Sequence, residues 1–351
     1  MTSNSKILKR EHLGGDIMEK QKNLFYKIHN DYFKWYDLLL ITIILFLGLV
    51  ILGANVGYVI TDPLYNFLLK YDESFTKVFI RYSETIGYWI VLIVYLLIFK
   101  AERPILKTFL PKYKGNTVKF FLIGLLVGGG MNVFCAIVAM LNKDIALYYN
   151  QFPFVKVFLV FLAVFIQSGS EEILCRGFFY QRMRREFRNP WVSVIGNALL
   201  FGALHLGNKG VTALGVLNII LFGIFMSLII YYYESMWMAI AVHTAWNFSQ
   251  SIVLGLPNSG IVFDFSVFKL DAASARNSFA YHVNFGIEGT IFSTVLIAVV
   301  IVILLVLNKK RQGDNLWILG ETVFIKQKKK KEEKQAEQIA EASTEANADC
   351  E

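Results

Sequence analysis

Long uncharged apolar runs decide what this chain can fold into. Residues 38–61 carry no charged side chain, and about 20 predominantly apolar residues cross a bilayer as one helix. In lipid each backbone polar group must be bonded within the protein, which a helix achieves alone. The runs are 38–61, 85–99, 120–142, 155–181, 190–207, 211–233, 236–256 and 289–308. The sequence therefore predicts an all-α polytopic membrane protein with about eight transmembrane helices.

Basic residues between the runs predict the orientation of the helices. An even number of spans leaves both termini on one side of the membrane. The connections 100–119 and 182–188 on that side are rich in Lys and Arg, and those on the other side carry fewer. Cytoplasmic loops are enriched in Lys and Arg, so both termini are predicted to be cytoplasmic. We interpret the net charge of +8 as a topology signal and expect no nucleic-acid partner.

The segments between and beyond the runs divide the chain into four predicted regions. They are a cytoplasmic arm at 1–36, N-terminal transmembrane helices at 37–117, a functional core at 118–308 and a charged cytoplasmic tail at 309–351. The connection 257–288, which is rich in Ser, Asn and Asp, predicts a small cap on the outer side, but the sequence does not indicate what it covers.

Two adjacent carboxylates, Glu171 and Glu172, interrupt the fourth run. Charges at membrane depth cost several kcal/mol unless they are paired, protonated or hydrated. Arg176 is four residues after Glu172, so a helix places the two on one face in the favourable order. Glu171 points about 100° away and has no evident partner in its own segment. We therefore expect another segment to supply one.

Two of the five histidines lie inside predicted spans. His205 follows Phe201 by four residues, and His243 precedes Asn247 by four. Lipid packing does not require imidazole, so an intramembrane histidine indicates function, although a satisfied core histidine is the alternative. Counting ~1.5 Å per residue from the cytoplasmic ends places both histidines, Asn247 and Glu171 in one cavity in the cytoplasmic half.

These residue types suit peptide hydrolysis. A carboxylate and an imidazole can hold and deprotonate water, while a second imidazole and a carboxamide can stabilise an oxyanion. Zinc bound by Glu171, His205 and His243 with an open water position is an alternative that the residues leave open. A proton-coupled transporter is another, but no inverted repeat of broken helices is evident.

Three motifs, each on its own apolar run, resemble the CPBP family of intramembrane proteases, which contains the type II CAAX prenyl endopeptidases and the bacterial ABI proteins. The motifs are Glu-Glu-x-x-x-Arg at 171–176, Phe-x-x-x-His at 201–205 and His-x-x-x-Asn at 243–247. The resemblance covers roughly residues 118–256. It implies an intramembrane endopeptidase with a membrane-associated peptide or protein substrate. The single-chain topology, short loops and lysine-rich arm indicate a bacterial cell membrane.

The resemblance also implies roles for particular residues. Glu171 would be the general base, helped by His205, and His243 with Asn247 would form the oxyanion hole. The supporting residues would be Glu172, Arg176 and Phe201, the first two as an ion pair that orients Glu171. The favoured mechanism requires no cofactor, with zinc as the alternative. Bacterial members are also linked to bacteriocin immunity and to scaffolding, so a non-proteolytic immunity or signalling scaffold is the alternative function.

Overall fold

The computed structural model describes residues 27–31 and 33–310, and the remainder of the predicted arm and tail lies outside these ranges. The α-helices are α1 Leu39–Leu68, α2 Glu73–Ser83, α3 Ile86–Ile98, α4 Val118–Leu141, α5 Phe154–Glu172, α6 Tyr180–Glu186, α7 Pro190–Leu204, α8 Ala213–Tyr233, α9 Met236–Phe248 and α10 Ile291–Leu307. The π-helical segment Ile173–Phe179 joins α5 to α6, and another, Ser249–Val253, extends α9. Short 3-10 helices cover Trp35–Asp37, Arg103–Phe109 and Ile287–Gly289.

The predicted all-α membrane fold is confirmed. The stretches long and apolar enough to cross a membrane are Leu39–Leu68, Glu73–Ile98, Val118–Leu141, Phe154–Glu186 and Ala213–Tyr233. The other three predicted runs are also helical, but α7, α9 and α10 are shorter than a full span. The second span begins at Glu73 rather than near residue 85, because the amphipathic α2 leads directly into α3.

Contacts between connections show which of them share an end of the helix bundle. Lys114 forms a 2.8 Å ion pair with Glu234, and Asn308 Nδ2 donates to the hydroxyl of Tyr233 at 3.3 Å. These contacts join the connections 99–117 and 234–235 to the end of α10. These segments therefore lie at one end of the helix bundle, where the connection 187–189 lies too. We call this end of the bundle the basic end.

A buried layer of four charged side chains lies at the basic end. Arg182 and Arg185 of α6 both contact Asp37, before α1, and Glu102, before the 3-10 helix Arg103–Phe109. Each side chain is at most 5% exposed, and the two positive charges balance the two negative ones. Its ion pairs with Asp37 hold α6 against the start of α1.

The other connections meet at the opposite end, which we call the far end: 69–72, 142–153, 205–212 and 254–290. Lys156 at the start of α5 pairs with Asp72 at 2.6 Å. This pairing lowers the pKa of Asp72. The antiparallel strands β1, Leu147–Tyr149, and β2, Phe268–Leu270, join two of these connections. Successive spans run alternately from the basic end to the far end and back, as the predicted order of spans requires. That the basic end faces the cytoplasm stays a prediction.

Helix α9 lies at the centre of the bundle, with α4 and α5 packed against it. Glycines allow the close approach of α4. A Cβ atom at Gly128 would collide with the carbonyl oxygen of Val242, and one at Gly124 would lie 2.6 Å from the carbonyl oxygen of Met238. The spacing Gly-x-x-x-Gly therefore brings the two backbones together. Because Val242 precedes His243, this contact fixes the depth of that histidine in the bundle.

We expect Gly128→Leu to separate α4 from α9 and to destabilise the protein by about 1–3 kcal/mol, the range for overpacked cores. Gly130→Leu is the matched control, since a Cβ there meets nothing within 4 Å. The measurement is the thermal unfolding midpoint of each variant in the same detergent. Equal midpoints for the two variants would contradict the close packing of α4 on α9.

Candidate active site

A buried carboxylate links two of the predicted motifs. Glu172 Oε1 accepts a hydrogen bond from Arg176 Nη1 and lies equally close, at 2.9 Å, to His243 Nδ1. Glu172 and Arg176 are fully buried. The guanidinium of Arg176 also lies 4.5 Å from the centre of the Phe201 ring and donates to the carbonyl of Gly223. The predicted pairing of Glu172 with Arg176 is observed, but the pair holds His243 rather than Glu171.

Glu171 is held by a residue of its own helix. Gln167 Nε2 donates to Glu171 Oε1 at 2.5 Å, and Asn247 Nδ2 donates to Gln167 Oε1 at 3.1 Å. The expectation that Glu171 lacks a partner in its own segment was therefore wrong. Gln167 precedes it by four residues, the spacing that pairs Glu172 with Arg176, and this signal was overlooked. Gln167 is thus a site residue that sequence reasoning missed.

The two glutamates differ in exposure. The side chain of Glu171 is 29% exposed and that of Glu172 is fully buried. Glu171 Oε2 lies 3.7 Å from His243 Nε2, so the imidazole sits between two carboxylates. Since the carboxylate of Glu172 accepts the bond from His243, Nδ1 carries a proton. Of the two acids, Glu171 is the one that water and a substrate can reach.

His205 caps the end of α7 instead of lying inside a longer span. Its Nδ1 is 2.8 Å from the carbonyl oxygen of Phe201. A carbonyl only accepts, so Nδ1 is the donor, and the neutral ring keeps Nε2 as an acceptor. The ring packs 4.8 Å from that of Phe201. The Phe-x-x-x-His motif therefore sets both the position and the tautomer of His205.

One cavity of about 440 Å³ brings the predicted catalytic side chains together. Its polar lining includes Glu171, His205, His243, Asn247 and Gln167. Apolar side chains from α1, α8 and α10 complete the wall, namely Phe46, Val50, Ala54, Ile219, Phe222 and Ile297. The cavity joins a polar catalytic set to an apolar surface, as in many ligand sites.

The predicted location of the cavity in the cytoplasmic half stays a prediction, but the structure changes the count of residues on which it was based. Helix α6 ends at Glu186 rather than near Gln181, so Glu171 lies ~22 Å from the basic end at about 1.5 Å per residue. His205 lies at the far end of the short α7. The site is therefore closer to the far end than the depth count predicted.

The predicted cap contributes a third carboxylate to the cavity. Glu288, in the connection before α10, accepts hydrogen bonds from Trp246 Nε1 at 3.0 Å and from the backbone N–H of Ser259 at 2.7 Å. Burial raises the pKa of Glu288, although these donors act in the opposite direction. Trp246 precedes Asn247, so the cap is tied to α9 beside the site. The sequence predicted a cap here but did not identify Glu288.

Glu171, His205 and His243 do not form a metal site in this arrangement. Among residues 27–31 and 33–310, no group of three or more His, Cys, Asp or Glu side chains converges on one point. The described geometry does not fit the zinc ligand set considered from the sequence, so no step below is assigned to a metal.

A comparison with known proteins shows what this segment of the chain is similar to. Residues 153–249 match the Rce1-like model of type II CAAX prenyl endopeptidases. The matched segment runs from the start of α5 to the end of α9 and contains all three motifs as well as Gln167. No curated protein and no solved structure matches the chain. The resemblance to the CPBP family of CAAX proteases, predicted from the motifs, is therefore confirmed for the segment that contains them.

Proposed function

We propose that the chain is an intramembrane endopeptidase that hydrolyses a membrane-associated peptide or protein with water activated by Glu171. The observation that carries this proposal is the contrast between the two glutamates. Glu172 is buried and supports His243, whereas Glu171 is partly exposed in a cavity beside both histidines and Asn247. The match to CAAX proteases over residues 153–249 supports the same activity.

Glu171 is suited to activating the water. Gln167 binds Oε1, so Oε2 can hold a water and take its proton. His205 Nε2 can accept the other hydrogen of the same water and so orient it. The water oxygen then attacks the peptide carbonyl carbon, and Glu171 passes its proton to the departing amine nitrogen as the C–N bond breaks. General acid–base catalysis of this kind contributes about 10²–10⁴-fold.

Asn247 and His243 are suited to stabilising the oxyanion. The Asn247 amide uses one N–H for Gln167 and can donate the other to the oxyanion. His243 Nδ1 donates to Glu172, so Nε2 can donate only when the ring carries both protons. Glu172 offsets the charge of Arg176, and the negative charge of the oxyanion itself offsets that of the doubly protonated ring. Removing one oxyanion donor costs about 10²–10³-fold in kcat in a well-studied protease.

Purified protein in lipid nanodiscs provides the test of this function. Wild type, Glu171→Gln and Glu84→Gln are incubated with quenched-fluorescent apolar peptides, and the products are identified by mass spectrometry. Glu84 is the matched control because it lines the same cavity and has no role in the proposed mechanism. We expect cleavage by wild type and Glu84→Gln alone. Cleavage by Glu171→Gln at the wild-type rate would refute the mechanism, and parallel reactions with a chelator or added zinc measure metal dependence.

We expect Gln167→Ala to reduce kcat by about 10- to 100-fold, because it removes a hydrogen bond to a charged group worth about 1.5–3 kcal/mol. The same change frees Asn247 from its partner. Gln151→Ala, in the connection before α5, is the control and should retain full activity. If Gln167→Ala also retained full activity with an unchanged unfolding midpoint, the Asn247–Gln167–Glu171 chain would have no catalytic role.

A further inference from the structure

We propose that the cavity receives its substrate from the far end of the bundle and that this end faces away from the cytoplasm. The substrate would then be an apolar peptide segment that is exported or anchored in the outer leaflet. This inference rests on the proposed endopeptidase function for its substrate, but its geometry can be tested separately.

The lining of the cavity shows which end of the bundle it approaches. Residues from the far-end connections line it, namely Asn208, Asn258, Ser259, Ile261, Phe263 and Glu288. Within the described residues, none of the lining comes from the basic-end connections 99–117, 187–189 and 234–235. His205, in the far-end connection 205–212, lines it as well. The other lining residues belong to helices, except Glu84 and Thr85, which join α2 to α3. A substrate entering from solution or from the adjacent leaflet would therefore pass the far-end connections.

Among residues 27–31 and 33–310, the basic end offers no comparable route. The charged layer of Arg182, Arg185, Asp37 and Glu102 is nearly inaccessible to solvent there. Between this layer and the site lies the π-helical segment Ile173–Phe179, in which all side chains are buried. A peptide entering from this end would have to disrupt ion pairs whose separation in a buried environment is costly.

The distribution of charge assigns the two ends to the two sides of the membrane. The connections 100–119 and 182–188 together hold ten Lys and Arg residues, and the far-end connections 69–72, 142–153, 205–212 and 254–290 hold five. Cytoplasmic loops carry such an excess, so the basic end faces the cytoplasm. The far end, with the cavity mouth, then faces the exterior.

The surface near the mouth defines the class of substrate. Leu204 and Ile261 line the cavity while remaining 39% and 38% exposed. In the described part of the chain, Arg81 is the sole Lys or Arg in the lining. Glu84, Glu171 and Glu288 also line the cavity, so the wall combines apolar side chains with an excess of carboxylates. Such a wall suits an apolar peptide segment and is poorly matched to an acidic one.

Thiol labelling of intact cells tests the orientation independently of any activity. Val262 in the far-end cap and Lys112 at the basic end are both exposed, so Val262→Cys and Lys112→Cys form a matched pair. They are made in a chain carrying Cys350→Ser, and the other cysteines, Cys135 and Cys175, are buried. With a membrane-impermeant maleimide we expect Val262→Cys to be labelled in intact cells and Lys112→Cys only after permeabilisation. The reverse pattern would overturn the proposal.

A second arm tests access to the cavity itself. Leu204→Cys places a thiol in the lining, and we expect the impermeant maleimide to label it from outside intact cells. Leu126→Cys on α4, 76% exposed and outside the cavity lining, is the control and should stay unlabelled in lipid. Labelling of Leu204→Cys only after permeabilisation would overturn the proposed route.

Vesicles of defined orientation then link access to cleavage. An impermeant peptide that the detergent-solubilised protein cleaves is added to right-side-out and to inside-out vesicles. We expect cleavage in right-side-out vesicles, and cleavage in inside-out vesicles alone would overturn the proposal. If the solubilised protein cleaves no peptide while Leu204→Cys is labelled from outside, the proposed function fails and the geometric inference stands.

Discussion

Replacing Glu171 by glutamine should reduce kcat by about 10³-fold while leaving KM and protein abundance close to wild type. Glutamine keeps the shape of the side chain but cannot take a proton from water, and general-base catalysis contributes about 10²–10⁴-fold. Because Glu171 is partly exposed and outside the buried ion pair, the change should not destabilise the fold. The measurement is steady-state kinetics on a cleaved peptide, together with the unfolding midpoint of each protein.

Glu84→Gln again provides the control, because it removes a carboxylate from the same cavity. Its activity should equal that of wild type. If both variants lost activity to the same extent, the cavity would depend on its overall charge rather than on a base at Glu171. If neither did, Glu171 would not be the base.

Replacing Glu172 by alanine should destabilise the protein by about 3–5 kcal/mol, the cost of leaving one partner of a buried ion pair uncompensated. Arg176 would then be buried without its carboxylate, and His243 would lose the acceptor at Nδ1. Activity should fall as well, because His243 would no longer be held in place. Thermal unfolding in detergent and peptide cleavage measure the two effects.

The double variant Glu172→Leu with Arg176→Met separates the two effects. Removing both charges together is often neutral or stabilising when apolar residues of similar volume replace them, so much of the lost stability should return. Activity should not return, because His243 still lacks an acceptor. A double variant that regained stability and full activity would show that the pair has a structural role alone.

The motifs predicted the site because each lies on one helix, where spacing alone determines which side chains share a face. The pairing of Glu172 with Arg176 follows from a spacing of four residues. The position of His205 beside Phe201 follows from the same rule, although His205 caps α7 rather than continuing it. That Glu171, His205 and His243 line one cavity was likewise predicted from helix counts.

The features of the site that the sequence did not predict depend mainly on how distant parts of the chain pack together. The depth of the cavity depends on where α6 and α7 end, which hydropathy does not resolve. Glu288 reaches the site because the cap folds back onto Trp246, a contact between residues far apart in the chain. The π-helical segment after Glu172 has no evident sequence signal, although such segments often occur at functional sites. Gln167 was predictable by the spacing rule and was overlooked.

Peptide mass spectrometry of membranes from cells expressing wild type, Glu171→Gln or Glu84→Gln at matched levels tests the central claim most directly. The account predicts a peptide or truncated protein that appears with wild type and Glu84→Gln and is absent with Glu171→Gln. Identical peptide profiles in all three strains, together with a deletion phenotype that Glu171→Gln rescues, would contradict it and identify the protein as a non-proteolytic scaffold.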